Sequence, residues 1–539
     1  MKYLLFLTIV FQSSITAFAQ AKGDSILIQK VYLISREDSL GDILVNVLIT
    51  GKTLKLITRD EVLFGRGVQT FDGGNGFLFG NVVLGKPPSF VILNENPRKN
   101  FDVILNTSVH TTFAIDNGVV KKNMLNQVRS KGSSRRISWS AYQAPPLAVP
   151  VNYYSTRKWN KFDTKIISGL FNGVLALDRL RWISQDDLSK AQVGELSETS
   201  IGALRALRFG IVGTINFKNP WIYTIYLTNN SFDRGYDAKN DNGLKLYDLR
   251  IDIPLPKKIT LSVGKQKEPI SMERLMSLVF LPIQERQAAA DAFLPIRNYG
   301  VVFNGNTLQG RGTWGVGAFK NFVDSDTSFS ATPTQFTGRI TGLPLLSADE
   351  SNLLHVGLGL RYSTAGLPLI GKVDAEFFQA PTFIKVKVPN SDYLFTYDLE
   401  LYWRKGPFLV GGEYIGNRIA TPTTGDLRPD GFNVTGAWTI TGEMRKYRRR
   451  SGIFDPVPVS RPVGLGGYGA LELVCRYSDI NLSTSSTEGG RMRTYSVGAN
   501  WWLSSKALFG ANYRLINLQE LDLTGQSTGL NFRLMLILE

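Results

Sequence analysis

Residues 494–538, TYSVGANWWLSSKALFGANYRLINLQELDLTGQSTGLNFRLMLIL, set the architecture of the chain. Tyr495, Val497, Ala499 and Trp501 fall on one side of an extended strand, opposite Thr494, Ser496, Gly498 and Asn500. Phe509, Ala511, Tyr513 and Leu515 then oppose Gly510, Asn512 and Arg514. Leu530, Phe532, Leu534, Leu536 and Leu538 oppose Asn531 and Arg533. Successive side chains of a strand point to opposite faces, so each segment has a broad apolar face and a face of small, polar or cationic groups. A soluble sandwich also alternates, but it would bring these arginines into an oily core. A transmembrane barrel places the apolar face in lipid and the polar face in a wet interior. Only a closed barrel also satisfies every strand backbone group there.

Working back from this stretch, the same alternation runs from about Asp163 to Glu539. Tight joints alternating with long ones predict sixteen antiparallel strands, near 164–178, 204–216, 220–230, 243–254, 258–267, 299–305, 312–320, 335–343, 352–362, 394–404, 408–416, 432–442, 467–478, 492–503, 507–517 and 529–538. Val373–Phe378 is assigned to the long loop 363–393, and the joint from Gly442 to Gly467 is too long for its side of the barrel. The lumen then receives Arg208, Arg250, Arg339, Arg361, Arg476, Arg514 and Arg533, against fewer acids: Asp248, Asp252, Glu413 and Glu472. A guanidinium excess in a narrow tube favours anions.

The rest of the chain fits an exported protein. Residues 1–19 carry Lys2, an apolar run from Tyr3 to Phe11 and Ala17-Phe18-Ala19, the pattern of a cleaved signal peptide. Residues 20–125 read as short strands with turns at Asp72-Gly73-Gly74 and Asp116-Asn117-Gly118, a small soluble β-sandwich-like domain. Residues 126–162, with Ser130–Ser134, Pro145-Pro146 and several Arg and Lys, read as a basic linker before the barrel at 163–539. The fold class is thus all-β. One cysteine, Cys475, and two distant histidines, His110 and His355, leave no Cys- or His-cluster metal site and imply no cofactor. No nucleophile motif or paired-carboxylate signature points to an enzyme. The net charge of +16 calls for an anionic partner, and export excludes nucleic acid.

Leu261–Gly300 is the most specific stretch: Gly264, then Lys267-Glu268-Pro269-Ile270-Ser271-Met272-Glu273, then Glu285-Arg286, then Arg297-Asn298-Tyr299-Gly300. This ordered series resembles the phosphate-selective porin O and P family, with Ile270 at a position usually Phe. The blocks 204–213, 467–481 and 489–503 are similar to its strands, so the resemblance covers about 163–539. It implies an inward-folded third loop and a homotrimeric outer-membrane channel for inorganic anions such as phosphate and pyrophosphate. It also implies that Lys267 and Arg286 stand at the constriction, with Arg274, Arg297 and Lys265 as further anion contacts. The chain departs from the family in ending at Glu539 rather than at an aromatic residue. Residues 78–123 also resemble the end strands of the amidohydrolase composite β-domain, without its catalytic barrel, and are expected in the periplasm. The function expected is an anion-selective outer-membrane channel. The alternative is a surface-binding or adhesion protein on a barrel scaffold with little conductance.

Overall fold

The computed structural model describes residues 25–34, 43–58, 68–97, 103, 110–127, 160–217, 219–229, 244–321, 332–364, 369–388, 391–422, 425–484 and 488–538. The signal peptide, most of the basic linker and Glu539 lie outside these residues. The chain divides into two compact units, 1–141 and 142–539.

The first unit holds β1(Ser25–Leu33), β2(Ile43–Thr50), β3(Thr53–Thr58), β4(Val68–Asp72), β5(Phe77–Asn81), β6(Ser89–Leu93), β7(Thr111–Asp116), β8(Val119–Asn123) and β9(Asn126–Gln127). They form one mixed nine-stranded sheet. β1 sits at its centre, antiparallel to β2 and parallel to β4 and β5. Its inner face supplies a core of Ile28, Val31, Val47, Leu54, Phe90 and Phe113. Val103, the one described residue between Pro97 and His110, is helical. Asn117 and Gly118 close the β7–β8 hairpin with φ of 47° and 75°. A two-residue turn of this hand matches strand twist and favours Asn-Gly. Gly118 is also required for space, since a Cβ there would lie 2.3 Å from the Lys52 carbonyl oxygen.

The second unit begins with β10(Lys161–Asp163), a short flank on the first wall strand. The wall strands follow as β11(Ile167–Gln185), β12(Gly202–Ile215), β13(Trp221–Asn229), β14(Leu244–Leu255), β15(Ile259–Gln266), β16(Asn298–Thr307), β17(Gly312–Lys320), β18(Gln335–Leu346) and β19(Asn352–Thr364). The long joint after β19 carries a separate hairpin, β20(Leu369–Val373) and β21(Ile384–Val388). The wall resumes with β22(Tyr393–Lys405), β23(Phe408–Ala420) and β24(Asp430–Thr439). A second small hairpin follows, β25(Tyr447–Arg448) and β26(Ile453–Phe454). β27(Ala470–Asn481), β28(Arg491–Ser504), β29(Ala507–Glu520) and β30(Leu523–Leu538) complete the wall. β30 then pairs antiparallel with β11, from Gly173↔Leu538 to Gln185↔Ser527, so sixteen strands close without an edge.

Each strand reads as the alternation requires. On β30, Leu534, Leu536 and Leu538 are 39 to 56% exposed on the outside while Asn531 and Arg533 are buried inside. Rows of exposed Leu, Val, Phe and Trp continue around the wall. In water each such row would cost about 25 cal/mol per Å² of apolar surface, but acyl chains do not charge for it. No helix among the described residues is long and apolar enough to cross a membrane.

The interior is not an empty bore. The loop 267–297 folds inward from the long-joint end and is buried almost throughout. Its Met272, Met276, Leu278, Phe280 and Ile283 pack against inner-wall residues such as Val474 and Trp502. The joint 374–384 also turns in, with Phe377 edge-on to Trp182 at 5.4 Å. From the opposite end, the unexplained joint 440–469 reaches up into the same cluster through Tyr447, Ile453, Phe454 and Val457. Its length is thus that of an internal insert rather than of a turn. The last joint differs in the other direction: β29 and β30 extend until only Leu521-Asp522 separate them, where an open loop was expected.

The seam is held from inside by Arg533 on β30. It donates two 2.7 Å bonds to Asp178 on β11 and a third bond to Glu285 of the inner loop. Removing one partner of a buried pair costs about 3–5 kcal/mol, whereas removing both is often neutral. Asp178→Ala is therefore expected to lower the unfolding free energy of the barrel, read from a urea titration, by that amount. Asp178→Ala with Arg533→Met should recover most of the loss.

Candidate functional site

The motif residues of 267–297 build the inner loop from its own carbonyls and from wall carboxylates. Ser271, with φ of 61°, caps the short helix Met272–Leu275 by accepting from the Arg274 amide at 3.1 Å and donates to Glu413 at 2.5 Å. The other end of this helix leaves carbonyls exposed, and cations suit that end. Lys267 fills the place: its Nζ donates to the carbonyl oxygens of Arg274 at 2.6 Å and Met276 at 2.8 Å. Arg286 donates to the carbonyl oxygens of Glu273 at 3.1 Å and Met276 at 2.9 Å. Arg274 reaches Asp291 at 3.1 Å. Lys267 and Arg286, the two expected constriction residues, therefore brace the inner loop.

Carboxylates of the loop are in turn gripped by the wall. Glu268 accepts from Arg361 at 2.8 Å and Asn298 at 2.6 Å. Glu273 accepts from Arg476 at 2.6 Å. Glu285 receives two 2.7 Å bonds from Arg205 and one from Arg533. Burial alone would raise the Glu285 carboxyl, but Arg205 and Arg533 outweigh it and hold it at about 2.

One region of the lumen has a different balance. Arg297 donates to Asp248 at 2.8 Å and lies 3.4 Å over the Tyr247 ring. Arg208 stands 5.0 Å from the Tyr226 ring centre and 5.9 Å from that of Tyr247. Ring faces carry partial negative charge and accommodate cations without neutralising them. Lys267 feels Arg297, Arg274 and Arg208 together, with Asp248 opposing. Burial first, and then these arginines, push its ammonium well below the usual range. Such a group gains from an added anion.

Elsewhere the wall arginines are matched. Arg339 grips Glu400 through two 2.7 Å bonds, Arg250 meets Asp252 at 3.1 Å, and Arg361, Arg476 and Arg533 are paired as described. Arg514 is the exception: its guanidinium stacks 4.4 Å over Phe377 and none of its nitrogens has a hydrogen-bond partner among the described residues. The expectation of few lumenal acids is corrected. Thirteen arginines and thirteen carboxylates are buried among the described residues of this unit. Asp178, Glu268, Glu273, Glu285, Glu376 and Glu400 join those the alternation identified. Arg205 escaped notice because it stands three residues from Arg208. The β11–β12 register shifts at Ala176/Leu177, and both side chains turn inward. Arg445 also went unseen, in the insert, where it donates to Glu472 at 2.6 and 2.7 Å and to the Phe280 carbonyl at 2.7 Å.

Lys265 is placed differently from the expectation. It pairs in register with the outward Leu249 and with Tyr299, so it stands on the outer face at the rim. There its Nζ donates to the Leu246 carbonyl at 2.9 Å and lies 5.6 Å from the Tyr299 ring centre. A long amphipathic side chain can cover apolar wall and keep its charge at the interface, so no lumenal position is needed.

A family model described as phosphate-selective porin O and P matches residues 179–521. The chain is 26% identical over 309 residues to an uncharacterized protein of Caulobacter vibrioides, covering 53% of this chain and 59% of that protein. It is 25% identical over 291 residues to Porin O of Pseudomonas aeruginosa, covering 47% and 64%. The match thus spans about three fifths of the length of these curated relatives. Similar solved structures include the anion-selective porin from Comamonas acidovorans, with TM-score 0.42 and 11% identity over 69% of this chain and 99% of that one. Another is the outer-membrane channel DcaP of Acinetobacter baumannii, with TM-score 0.44 and 10% identity over 70% and 99%.

The Glu285 clamp gives an acid limit. A carboxyl whose folded value is depressed to about 2 contributes stability above its usual value of 4.5 and loses it as pH falls through about 2. Pepsin should therefore cut the inner loop of the wild type only as pH approaches 2. Glu285→Gln should be cut readily at pH 4.

Proposed function

Because the chain belongs to the phosphate-selective porin O and P family, we propose that it is an outer-membrane channel selective for phosphate-type oxyanions, phosphate and pyrophosphate among them. The observation that carries this reading is the cluster of Arg208, Lys267, Arg274 and Arg297 at the inner loop. Asp248 and Asp291 answer it, and tyrosine rings flank two of its arginines. Elsewhere in the lumen charge is largely cancelled, so this cluster dominates the local field. Guanidinium groups suit oxyanions because their planar donors match phosphate oxygens.

The filled interior argues for a narrow, selective path rather than a wide sieve. An anion passing the cluster exchanges water for arginine donors, and the existing Asp248 contact keeps the binding weak enough for release. Arg286 acts here chiefly by holding the loop in place, and Lys267 does so while adding its charge to the cluster. Three such barrels assemble as a homotrimer in this reading. Residues 1–19 direct export, 20–125 form a periplasmic domain, and 126–162 link it to the barrel.

Planar-bilayer recording tests the reading. Wild-type channels should show reversal potentials of anion preference, and added phosphate should block chloride current. Arg297→Gln should weaken that block about tenfold, one lost charged hydrogen bond being worth roughly that factor. Arg297→Lys should restore part of it. Cation preference, or folded protein without current, would refute the proposal.

A further inference from the structure

The strand pattern explains a hollow in the outer wall. Facing outward, Trp403 on β22, Val410 on β23, Gly436 on β24 and Cys475 on β27 form one cross-strand row. The next row toward the short turns runs Lys405, Phe408, Trp438. Gly436 has no side chain between the exposed Val434 and Trp438. The nearest contact of a Cβ there would be the Cys475 sulfur at 3.1 Å. The gap opens a groove of ≈ 460 Å³ with an almost wholly apolar lining.

Its banks are fixed. Phe408 and Trp438 stack at 5.3 Å and 13°. Trp403 donates its indole N–H to Asn352 at 2.9 Å and so cannot swing in to fill the space. The volume falls within the range of about 300–1,000 Å³ typical of ligand pockets. The medium against this wall is acyl chain, and a groove of this size left unfilled would forgo dispersion contacts along its walls and floor. Lys405 stands at the mouth, beside the turn at Gly406-Pro407, on the end of the barrel that carries the short turns. That end faces the periplasm, where the leaflet's phosphate groups lie at the depth of aromatic belts.

We infer that this groove is a phospholipid site: one acyl chain lies between Trp403 and the Phe408–Trp438 pair over Gly436, and Lys405 meets the headgroup phosphate. The inference is independent of which ion the lumen conducts.

Native mass spectrometry of the full chain, purified in mild detergent with added phosphatidylglycerol, tests it. Wild type should retain one lipid per protomer. Gly436→Phe should lower occupancy about tenfold, the factor for losing contact with roughly two methylenes. Lys405→Ala, on the surface and harmless to folding, should lower it about fivefold through the lost headgroup attraction. Heat-modifiable migration on gels confirms that each variant is folded. Equal retention in wild type and folded Lys405→Ala would overturn the site. So would efficient bismaleimide crosslinking between Cys475 of two protomers in the membrane, which would assign the groove to a second copy of the chain.

Discussion

A strand inside acyl chains can hydrogen-bond only to its neighbours, and that constraint orders everything else in the second unit. It requires a closed wall, so β30 must find β11. It also forbids charge on the outer face at mid-depth, where a lysine or arginine costs about 2–4 kcal/mol. Arg208, Arg250, Arg339, Arg361, Arg476, Arg514 and Arg533 of the wall accordingly point inward. The outward Lys265 stands at the rim, where its charge leaves the hydrocarbon.

Concentrating cations in this way creates a second requirement. Arginines concentrated in one interior would repel each other, and the chain answers with a comparable number of buried carboxylates. Many of those come from the inserted segments rather than from the wall. Glu268, Glu273 and Glu285 of the inner loop each take a wall arginine. The same bonds that neutralise the wall thus fix the loop, and loop position and wall charge cannot be varied independently. Where rings replace carboxylates, as at Tyr226 and Tyr247, positive charge survives. Positive charge in the lumen is thus concentrated at that local imbalance rather than spread as a surplus over the wall.

The wall was legible in the sequence because period two is a strong local signal. All sixteen strands overlap their expected ranges, with β11 and β30 running well past theirs at the long-joint end, and the faces of Tyr495, Trp501, Arg514 and Arg533 follow directly. What periodicity cannot report is the partner of an inward side chain, since that partner is set by loops without a period. Glu285 was visible as part of a motif, but not as the clamp between Arg205 and Arg533. Arg205 itself was hidden by a one-residue shift in register. The joint 440–469 looked anomalous only because joint length was read as a turn, and its apolar Ile453-Phe454 pair was the available clue. In the first unit the short strands were found, but not the parallel pairings of β1, which depend on contacts distant in sequence.

The insert from the short-turn end has a mechanical consequence. Arg339 of β18 holds its carbonyls at Ser451 and Gly452. Arg404 of β22 holds the Arg445 carbonyl, and Arg445 in turn grips Glu472 of β27 and the loop carbonyl of Phe280. These contacts run across the cross-section like spokes between distant staves. A hollow cylinder of this girth would flatten toward an ellipse under lateral pressure. A spoked one stays round, and its narrow passage keeps its calibre as the surrounding bilayer is squeezed or stretched.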